Sequence, residues 1–163
     1  MQEQAAKHAF RPLLKIKLGT PDDMPRLEAV RAGAPKSRII IDANEGWSRA
    51  VYLDLVPHLQ RLGVSLVEQP LPASDDYGLI GIERPVPVCA DESAHDCSSL
   101  PHLKGKYDVV NIKLDKSGGL TEALSLKDAA LAEGYGVGWL YGWHIAGDGP
   151  SNACRTRCDS DRS

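Results

Sequence analysis

Residues 38–68, RIIIDANEGWSRAVYLDLVPHLQRLGVSLVE, contain the pattern that decides the fold. Two short segments, residues 38–42 and 64–68, have the Val, Ile and Leu content of strands that are buried on both faces. Between them, residues 48–62 begin with a candidate N-cap, Ser48. Their apolar side chains recur at spacings of three and four, as on one face of a helix: Val51, Leu55, Leu59 and Leu62. This stretch therefore predicts a strand, a helix and a second, parallel strand.

Short apolar segments of similar composition occur on both sides of this unit. They are residues 13–18 (LLKIKL), 86–91 (VPVCAD) and 107–114 (YDVVNIKL). Each is short and rich in Val, Ile and Leu, which predicts three further strands. With the two strands above, five parallel strands are expected in the first 114 residues.

Three further segments have the features of helices. Residues 121–133 begin with a candidate N-cap, Thr121. The leucines of this segment stand among alanines and are Leu124, Leu126 and Leu131. Residues 21–23, Pro-Asp-Asp, suit a first helical turn, where proline and acidic side chains are favoured. Residues 1–10 read as the last turns of a helix, so strand and helix alternate along the chain and predict the α/β class.

Polar residues recur at the ends of the predicted strands at nearly constant intervals. They are separated by 25, 26, 23 and 22 residues: Lys17, Asp42, Glu68, Asp91 and Lys113. This interval fits one strand, one helix and two loops, so each residue would occupy the same place in successive βα units. In a parallel barrel that place is the carboxyl edge, where active sites lie. A full eight-stranded barrel needs roughly 250 residues, so the fold predicted here is a partial TIM-like (β/α) barrel.

Composition excludes several classes of protein. The chain has 163 residues, 42% of them hydrophobic and 25% charged, and a net charge of −3, which predicts one soluble core and no nucleic-acid partner. No apolar stretch approaches the ~20 residues that span a bilayer, and no signal peptide is recognisable. A cytoplasmic protein is therefore expected. Cys89, Cys97, Cys154 and Cys158 form no CxxC pair, so free thiols are predicted.

The pattern changes towards both ends of the chain. Residues 1–10 resemble the end of a helix whose own strand is not in the sequence. After Val137 the sequence WLYGWHIAGDGPSNACRTRCDSDRS contains two of the three tryptophans and no period of 2 or 3.6. We therefore predict a barrel domain over residues 1–137 and an aberrant tail over residues 138–163. A frameshift near Val137 is the preferred explanation of the tail, and simple disorder is the alternative.

Three of the strand-end residues are carboxylates on consecutive predicted strands. Asp42, Glu68 and Asp91 would converge at one edge, where oxygen ligands with room for water and substrate suit Mg²⁺. Each also has an ordinary interpretation when taken alone. Asp42 could begin a turn with Asn44, Glu68 could be a strand-end charge before Pro70, and Asp91 could cap the following helix. Their matched positions favour a magnesium site.

Lysines extend the predicted site. Lys15 and Lys17 are two residues apart in an apolar strand, so their side chains leave on the same face. Each would lower the pKa of the other, and a nearby divalent cation would add to this effect, so that one lysine could serve as a base. A solvent-facing strand edge is the alternative. Lys113 has the matching position on another strand and could face Lys17 across a substrate, or it could be an ordinary strand-end lysine.

Five motifs, taken in order, resemble those of the enolase superfamily, in its muconate-lactonizing branch. They are KIK (15–17), DAN (42–44), EQP (68–70), ADES (90–93) and NIKLDKSGGL (111–120). The resemblance covers about residues 10–137 and is strongest to the dipeptide epimerases of the L-Ala-D/L-Glu type. It is less specific within the branch, because muconate cycloisomerases and o-succinylbenzoate synthases share the same lysines and carboxylates.

The resemblance implies a role for each candidate residue. It implies that the Mg²⁺ ligands are Asp42, Glu68 and Asp91. It implies that the acid/base catalysts are Lys17 and Lys113, and that Lys15 contacts the substrate carboxylate and tunes Lys17. In such enzymes one lysine removes the α-proton, Mg²⁺ stabilises the enediolate, and the other lysine returns the proton. The implied partner is a dipeptide or another small carboxylate, and the sequence leaves open whether copies of the chain form a homo-oligomer.

The resemblance also shows departures from the family pattern. The N-terminal capping domain, the first barrel strand and the eighth strand are not in the sequence, and residues 136–147, GVGWLYGWHIAG, replace the expected seventh strand. Two function classes therefore compete: a Mg²⁺-dependent dipeptide epimerase, and a catalytically inactive fragment of one. A related cycloisomerase or synthase differs from the first only in its substrate. We expect the chain as written to have little or no epimerase activity.

Overall fold

Six parallel strands form a single sheet in the computed structural model, which describes residues 1–139. The strands follow one another in the sheet in chain order, so each pairs with the next. They are β1 (Leu13–Lys17), β2 (Arg38–Asp42), β3 (Val64–Glu68), β4 (Val88–Ala90), β5 (Val109–Ile112) and β6 (Gly136–Trp139). Sequential parallel strands joined by helices are the arrangement of a (β/α) barrel, so the predicted class, a partial barrel, is confirmed.

Helices and short helical turns make the connections. The α-helices are α1 (Gln2–Lys7), α2 (Asp23–Gly33), α3 (Arg49–Leu59), α4 (Leu100–Leu103), α5 (Leu114–Ser117) and α6 (Leu120–Ala132). Two 3₁₀ segments, Ala73–Leu79 and Cys97–Ser99, lie in the connections after β3 and β4. Helices are therefore found in each region where they were predicted, although several boundaries differ.

Helix α3 begins as predicted. The Oγ of Ser48 accepts a hydrogen bond from the backbone N–H of Val51 at 3.3 Å, which satisfies one of the free donors of the first turn. Leu55 and Leu59 are buried, whereas Val51 is only half-buried. The buried face also includes Tyr52, which the leucine and valine spacing did not indicate.

Helix α6 differs from its prediction. It begins at Leu120 with Gly119 as N-cap, so the assignment of Thr121 as N-cap is wrong. Gly118 and Gly119 have φ of 84° and 121°, and this left-handed turn between α5 and α6 starts the helix earlier. Its buried residues are Ala123, Leu126 and Ala130, whereas Leu124 and Leu131 are exposed. The small alanine side chains, more than the leucines, let α6 pack closely on its neighbours.

The two faces of the sheet bury different residues. Strand residues such as Ile39, Ile41 and Val67 share one core with residues of the helices. On the other face, a smaller cluster consists of strand residues: Ile40, Leu66, Cys89 and Val109. Because side chains alternate along a strand, this second face continues towards the carboxyl ends of the strands with Asp42 and Glu68. The predicted site residues therefore lie on the face that the helices do not cover.

Strand β6 extends to Trp139, with Gly138 paired to Asn111 and Trp139 paired to Ile112. The remainder of the predicted tail, residues 140–163, lies outside the described residues, so its frameshift origin and its disorder stay predictions. Cys154 and Cys158 also lie there, whereas Cys89 and Cys97 are free thiols as expected. In residues 1–139 no helix combines the length and apolar character needed to cross a membrane.

Candidate functional site

Register places the predicted residues at one edge of the sheet. Lys17, Asp42 and Glu68 are paired neighbours across β1, β2 and β3. Asp91 immediately follows β4, and Lys113 immediately follows β5. All five therefore lie at the carboxyl ends of five successive strands, in the order that the sequence predicts.

Lys15 joins two of the carboxylates. Its Nζ lies 3.2 Å from Oδ2 of Asp42 and also contacts Oε2 of Glu68. The Nζ of Lys17 lies 3.5 Å from the same Asp42 oxygen, so both lysines lie on one face, as predicted. The Glu68 side chain is fully buried, whereas that of Lys17 is 73% exposed. Lys15 therefore supplies the counter-charge that a buried carboxylate needs.

The expectation of a lowered lysine pKa is wrong for Lys15 in this arrangement. Burial lowers its pKa, but the hydrogen bond and the negative charge of Glu68, together with Asp42, raise it above the ordinary value. The pKa of Lys113 is also raised, because pairing with Asp91 outweighs the effect of burial. Lys15 lies between two carboxylates, and their attraction for its positive charge exceeds the effect of burial.

Asp91 is held by two lysines. The Nζ of Lys113 contacts one carboxylate oxygen, and the Nζ of Lys116 lies 2.7 Å from the other. Burial raises the pKa of Asp91, but its hydrogen bonds with the two lysines lower it below the usual value. Sequence reasoning missed Lys116. The signal was its position three residues after Lys113, since Lys113 precedes α5 and residues three apart on a helix are neighbours.

Further polar side chains connect to the site without having been predicted. Nδ2 of Asn111 donates to Oε1 of Glu68 at 2.8 Å. Lys17 donates to Oδ1 of Asn44 at 3.3 Å, and Nδ2 of Asn44 donates to Glu92 at 2.7 Å. Asn111 alternates with Lys113, so the period of two in the strand was the available signal.

The carboxylates have the chemistry of a magnesium site, but lysines lie against them. Residues 1–139, as placed, contain no group of three or more His, Cys, Asp or Glu side chains arranged to hold a metal ion. Ammonium groups instead lie against the carboxylate oxygens of Asp42, Glu68 and Asp91. Within the described part of the chain, Oδ1 of Asp42 is buried and has no hydrogen-bond partner. An all-oxygen donor set with a free buried oxygen fits a hard cation such as Mg²⁺.

Comparison with protein families assigns the fold to a known group. The model of the enolase C-terminal domain-like family matches residues 1–156. The chain belongs to this family. The resemblance that the five motifs indicate is therefore confirmed.

Two similar proteins are a racemase and an epimerase. The chain is 47% identical to N-acetyl-D-glutamate racemase of a Pseudoalteromonas species over 137 residues, which are 84% of this chain and 44% of the relative. It is 48% identical to L-Ala-D/L-Glu epimerase of Escherichia coli over 125 residues, which are 77% of this chain and 39% of the relative. The chain thus spans less than half the length of these two relatives.

Solved structures with the same fold support this assignment. An enolase family member from Agrobacterium tumefaciens, described as homologous to dipeptide epimerases and bound to sodium and L-Ala-L-Glu, has a TM-score of 0.82 and 52% identity. The match covers 85% of this chain and 42% of that one. A dipeptide epimerase from Enterococcus faecalis, complexed with Mg and L-Leu-L-Tyr, has a TM-score of 0.77 and 31% identity over 85% of this chain and 42% of its own.

Proposed function

We propose that this protein serves the Mg²⁺-dependent epimerisation of a dipeptide of the L-Ala-D/L-Glu type. The observation that carries the proposal is the row of charged side chains at the carboxyl edge of the sheet. In this row Lys17 ends β1, Lys113 follows β5, and three carboxylates lie at the carboxyl ends of the strands between them. Two bases on either side of a carboxylate cluster suit removal and return of one α-proton.

The proposed magnesium ligands are Asp42, Glu68 and Asp91. The bound ion would stabilise the negative charge that develops on the substrate carboxylate when the α-proton leaves. The buried free oxygen of Asp42 supports this assignment. The dipeptide epimerase from Enterococcus faecalis, which has the same fold, has been solved with Mg and a dipeptide.

The proposed roles of the lysines follow from their positions. Lys17 and Lys113 exchange a proton with the α-carbon from opposite sides, so that removal by one lysine and return by the other inverts the centre. Lys15 lies between Asp42 and Glu68, where its positive charge offsets theirs beside Lys17, and it contacts the substrate carboxylate. An ammonium group at this point also favours binding of an anionic substrate.

Exchange of the α-proton in deuterated water tests the two-base proposal. In an intact relative that carries the same motifs, supplied with L-Ala-D-Glu, L-Ala-L-Glu and Mg²⁺, the substitutions equivalent to Lys17→Ala and Lys113→Ala should each stop epimerisation. Each variant should retain exchange from only one stereoisomer, and the two variants should retain opposite ones. Lys36→Ala is the matched control, because Lys36 is exposed and precedes the amino end of β2. Full epimerisation by either active-site variant would refute the proposal.

A second candidate is that this chain alone is an inactive fragment of such an enzyme. The Lys17 side chain is 73% exposed, and a base surrounded by water gains less from nearby charges than one in an enclosed site. Turnover near the ~10 s⁻¹ typical of enzymes by the purified chain would exclude this candidate. An assay with N-acetylglutamate tests for a related racemase activity, which the Pseudoalteromonas relative suggests. An assay with muconate tests for a related cycloisomerase activity.

A further inference from the structure

Gln69 is a buried polar residue next to a proposed metal ligand, and the proposed chemistry does not use it. It follows Glu68 at the end of β3 and is fully buried. Its φ is 37°, a left-handed conformation that is uncommon for a residue other than glycine. Such a conformation persists only where surrounding contacts hold it.

The backbone of Gln69 joins neighbouring loops. Its N–H donates to the carbonyl of Cys89 in β4 at 2.9 Å, and its carbonyl accepts from the N–H of Glu45 at 2.9 Å. Glu45 lies in the loop after β2, which carries Asp42. Gln69 therefore connects the carboxyl ends of β2, β3 and β4, each of which supplies one proposed metal ligand.

The side chain of Gln69 fixes the segment that contains Asp91. Its Oε1 accepts from the backbone N–H of Asp91 at 2.9 Å and from that of Ser93 at 3.1 Å. These two bonds attach the start of the loop after β4 to the residue that follows Glu68. The positions of the Glu68 and Asp91 backbones are thereby linked through one buried amide.

A buried ion pair sets the orientation of this amide. Nε2 of Gln69 donates to the hydroxyls of Tyr107 at 2.7 Å and Ser93 at 2.9 Å. Both hydroxyls lie against one carboxylate oxygen of Asp76, to which they donate at 3.0 and 2.7 Å. The other Asp76 oxygen pairs with Lys106 at 2.5 Å. Because a carboxylate only accepts, each hydroxyl donates to Asp76 and presents a lone pair to Nε2, which also lies 3.0 Å from the carbonyl oxygen of Leu71. Nε2 therefore faces acceptors, and Oε1 faces the two backbone donors.

We propose that Gln69 is a positioning residue for the metal site, acting by holding Asp91 at a fixed place relative to Glu68. The inference rests on the proposed function. Metal affinity depends on ligands that are held in place before the ion arrives, and loss of a supporting hydrogen bond typically weakens binding about 10- to 100-fold. Gln69 provides this support through backbone positions, whereas Lys15 and Asn111 hold the Glu68 side chain directly.

Titration of the full chain with Mn²⁺ tests the inference, with the free ion measured by electron paramagnetic resonance. Gln69→Met has similar volume and lacks the amide, and we expect its Mn²⁺ dissociation constant to rise at least about 10-fold. Tyr107→Phe removes one acceptor of the amide while leaving Oε1 in place, so a smaller rise in the same direction is expected. Amide hydrogen exchange at Asp91 and Ser93 should accelerate in Gln69→Met.

Ser48→Ala is the control for a general loss of stability, since the α3 cap contacts none of the proposed ligands. Its Mn²⁺ affinity should equal that of the wild type at temperatures where both are folded. Should Gln69→Met be unfolded, the Mn²⁺ affinity of Tyr107→Phe and its amide exchange rates at Asp91 and Ser93 decide the matter. Equal Mn²⁺ affinity of the folded Gln69 or Tyr107 variants and the wild type would overturn this inference alone. No Mn²⁺ binding by the wild type would overturn the proposed metal site and, with it, this inference.

Discussion

Asp23 anchors the loop that follows Lys17, and its removal gives the sharpest stability prediction. Oδ2 of Asp23 accepts from the N–H of Gly19 at 2.6 Å, from that of Thr20 at 2.7 Å and from Nε1 of Trp47 at 2.8 Å. The carboxylate is fully buried, and Arg26 pairs with its other oxygen at 3.0 Å. Asp23 therefore joins the loop after β1 to the loop after β2 through Trp47.

We expect Asp23→Ala to lower the free energy of unfolding by about 3 kcal/mol. A hydrogen bond to a charged group contributes about 1.5–3 kcal/mol, and three N–H donors would lose their acceptor. Two of these donors are only partly buried, so water recovers some of the loss. Urea denaturation followed by circular dichroism measures the change. Asp22→Ala is the matched control, because Asp22 is exposed and should change stability by less than about 0.5 kcal/mol.

The Asp23 carboxylate should also make the stability of the protein depend on pH. Burial raises the pKa of Asp23, but hydrogen bonds from Trp47, Thr20 and Gly19 outweigh it and bring the pKa below its ordinary value. Its stabilising contribution is therefore fully present above the unfolded pKa of about 3.9 and is lost as pH falls through the lower, folded pKa. Asp23→Ala should lack this part of the acid destabilisation. A variant as stable as Asp22→Ala, with an unchanged acid profile, would refute this account.

Three further outcomes are expected. Burial raises the pKa of the Cys89 thiol, so iodoacetamide at pH 7.5 should alkylate exposed Cys97 and leave Cys89 unmodified until the chain unfolds. Peptide mapping measures the labelling of each cysteine, and equal labelling of Cys89 and Cys97 would contradict the prediction. Lys106→Met leaves the Asp76 carboxylate buried without its partner at 2.5 Å and should cost about 3–5 kcal/mol in urea denaturation, whereas a loss below 1 kcal/mol would show that water replaces the pair. Ser48→Ala should lower stability by about 1 kcal/mol through loss of the α3 cap, and no loss would mean that the 3.3 Å contact contributes nothing.

The fold was predictable because its signals are local. Apolar runs at a constant interval, each ending in a charged residue, identify parallel strands whose carboxyl ends meet at one edge. The start of helix α3 was predicted correctly from Ser48 and the apolar residues that follow it, whereas the helix ends at Leu59 and not at Leu62. The start of α6 was not predicted correctly, because its boundary depends on the conformation of Gly118 and Gly119, which composition does not specify.

The site was predictable in position but not in its contacts. Lys17, Asp42 and the other strand-end residues lie where the register requires. The pairing of Asp76 with Lys106 joins residues 30 positions apart, and no local spacing indicates such a contact. The raised pKa of Lys15 depends on how closely Glu68 approaches, which only a three-dimensional structure gives.

The lysines that lie against the acidic cluster determine whether the chain needs a metal ion in order to fold. Lys15 and Lys17 lie against Asp42 and Glu68, and Lys113 and Lys116 lie against Asp91. Four lysines therefore offset the charge of three carboxylates without any ion. A divalent cation bound by these carboxylates would have to displace the ammonium groups that contact them. Newly made chains would therefore reach the native state in magnesium-poor conditions, unlike domains that fold only around their metal. Availability of the ion would then leave the folding yield unaffected.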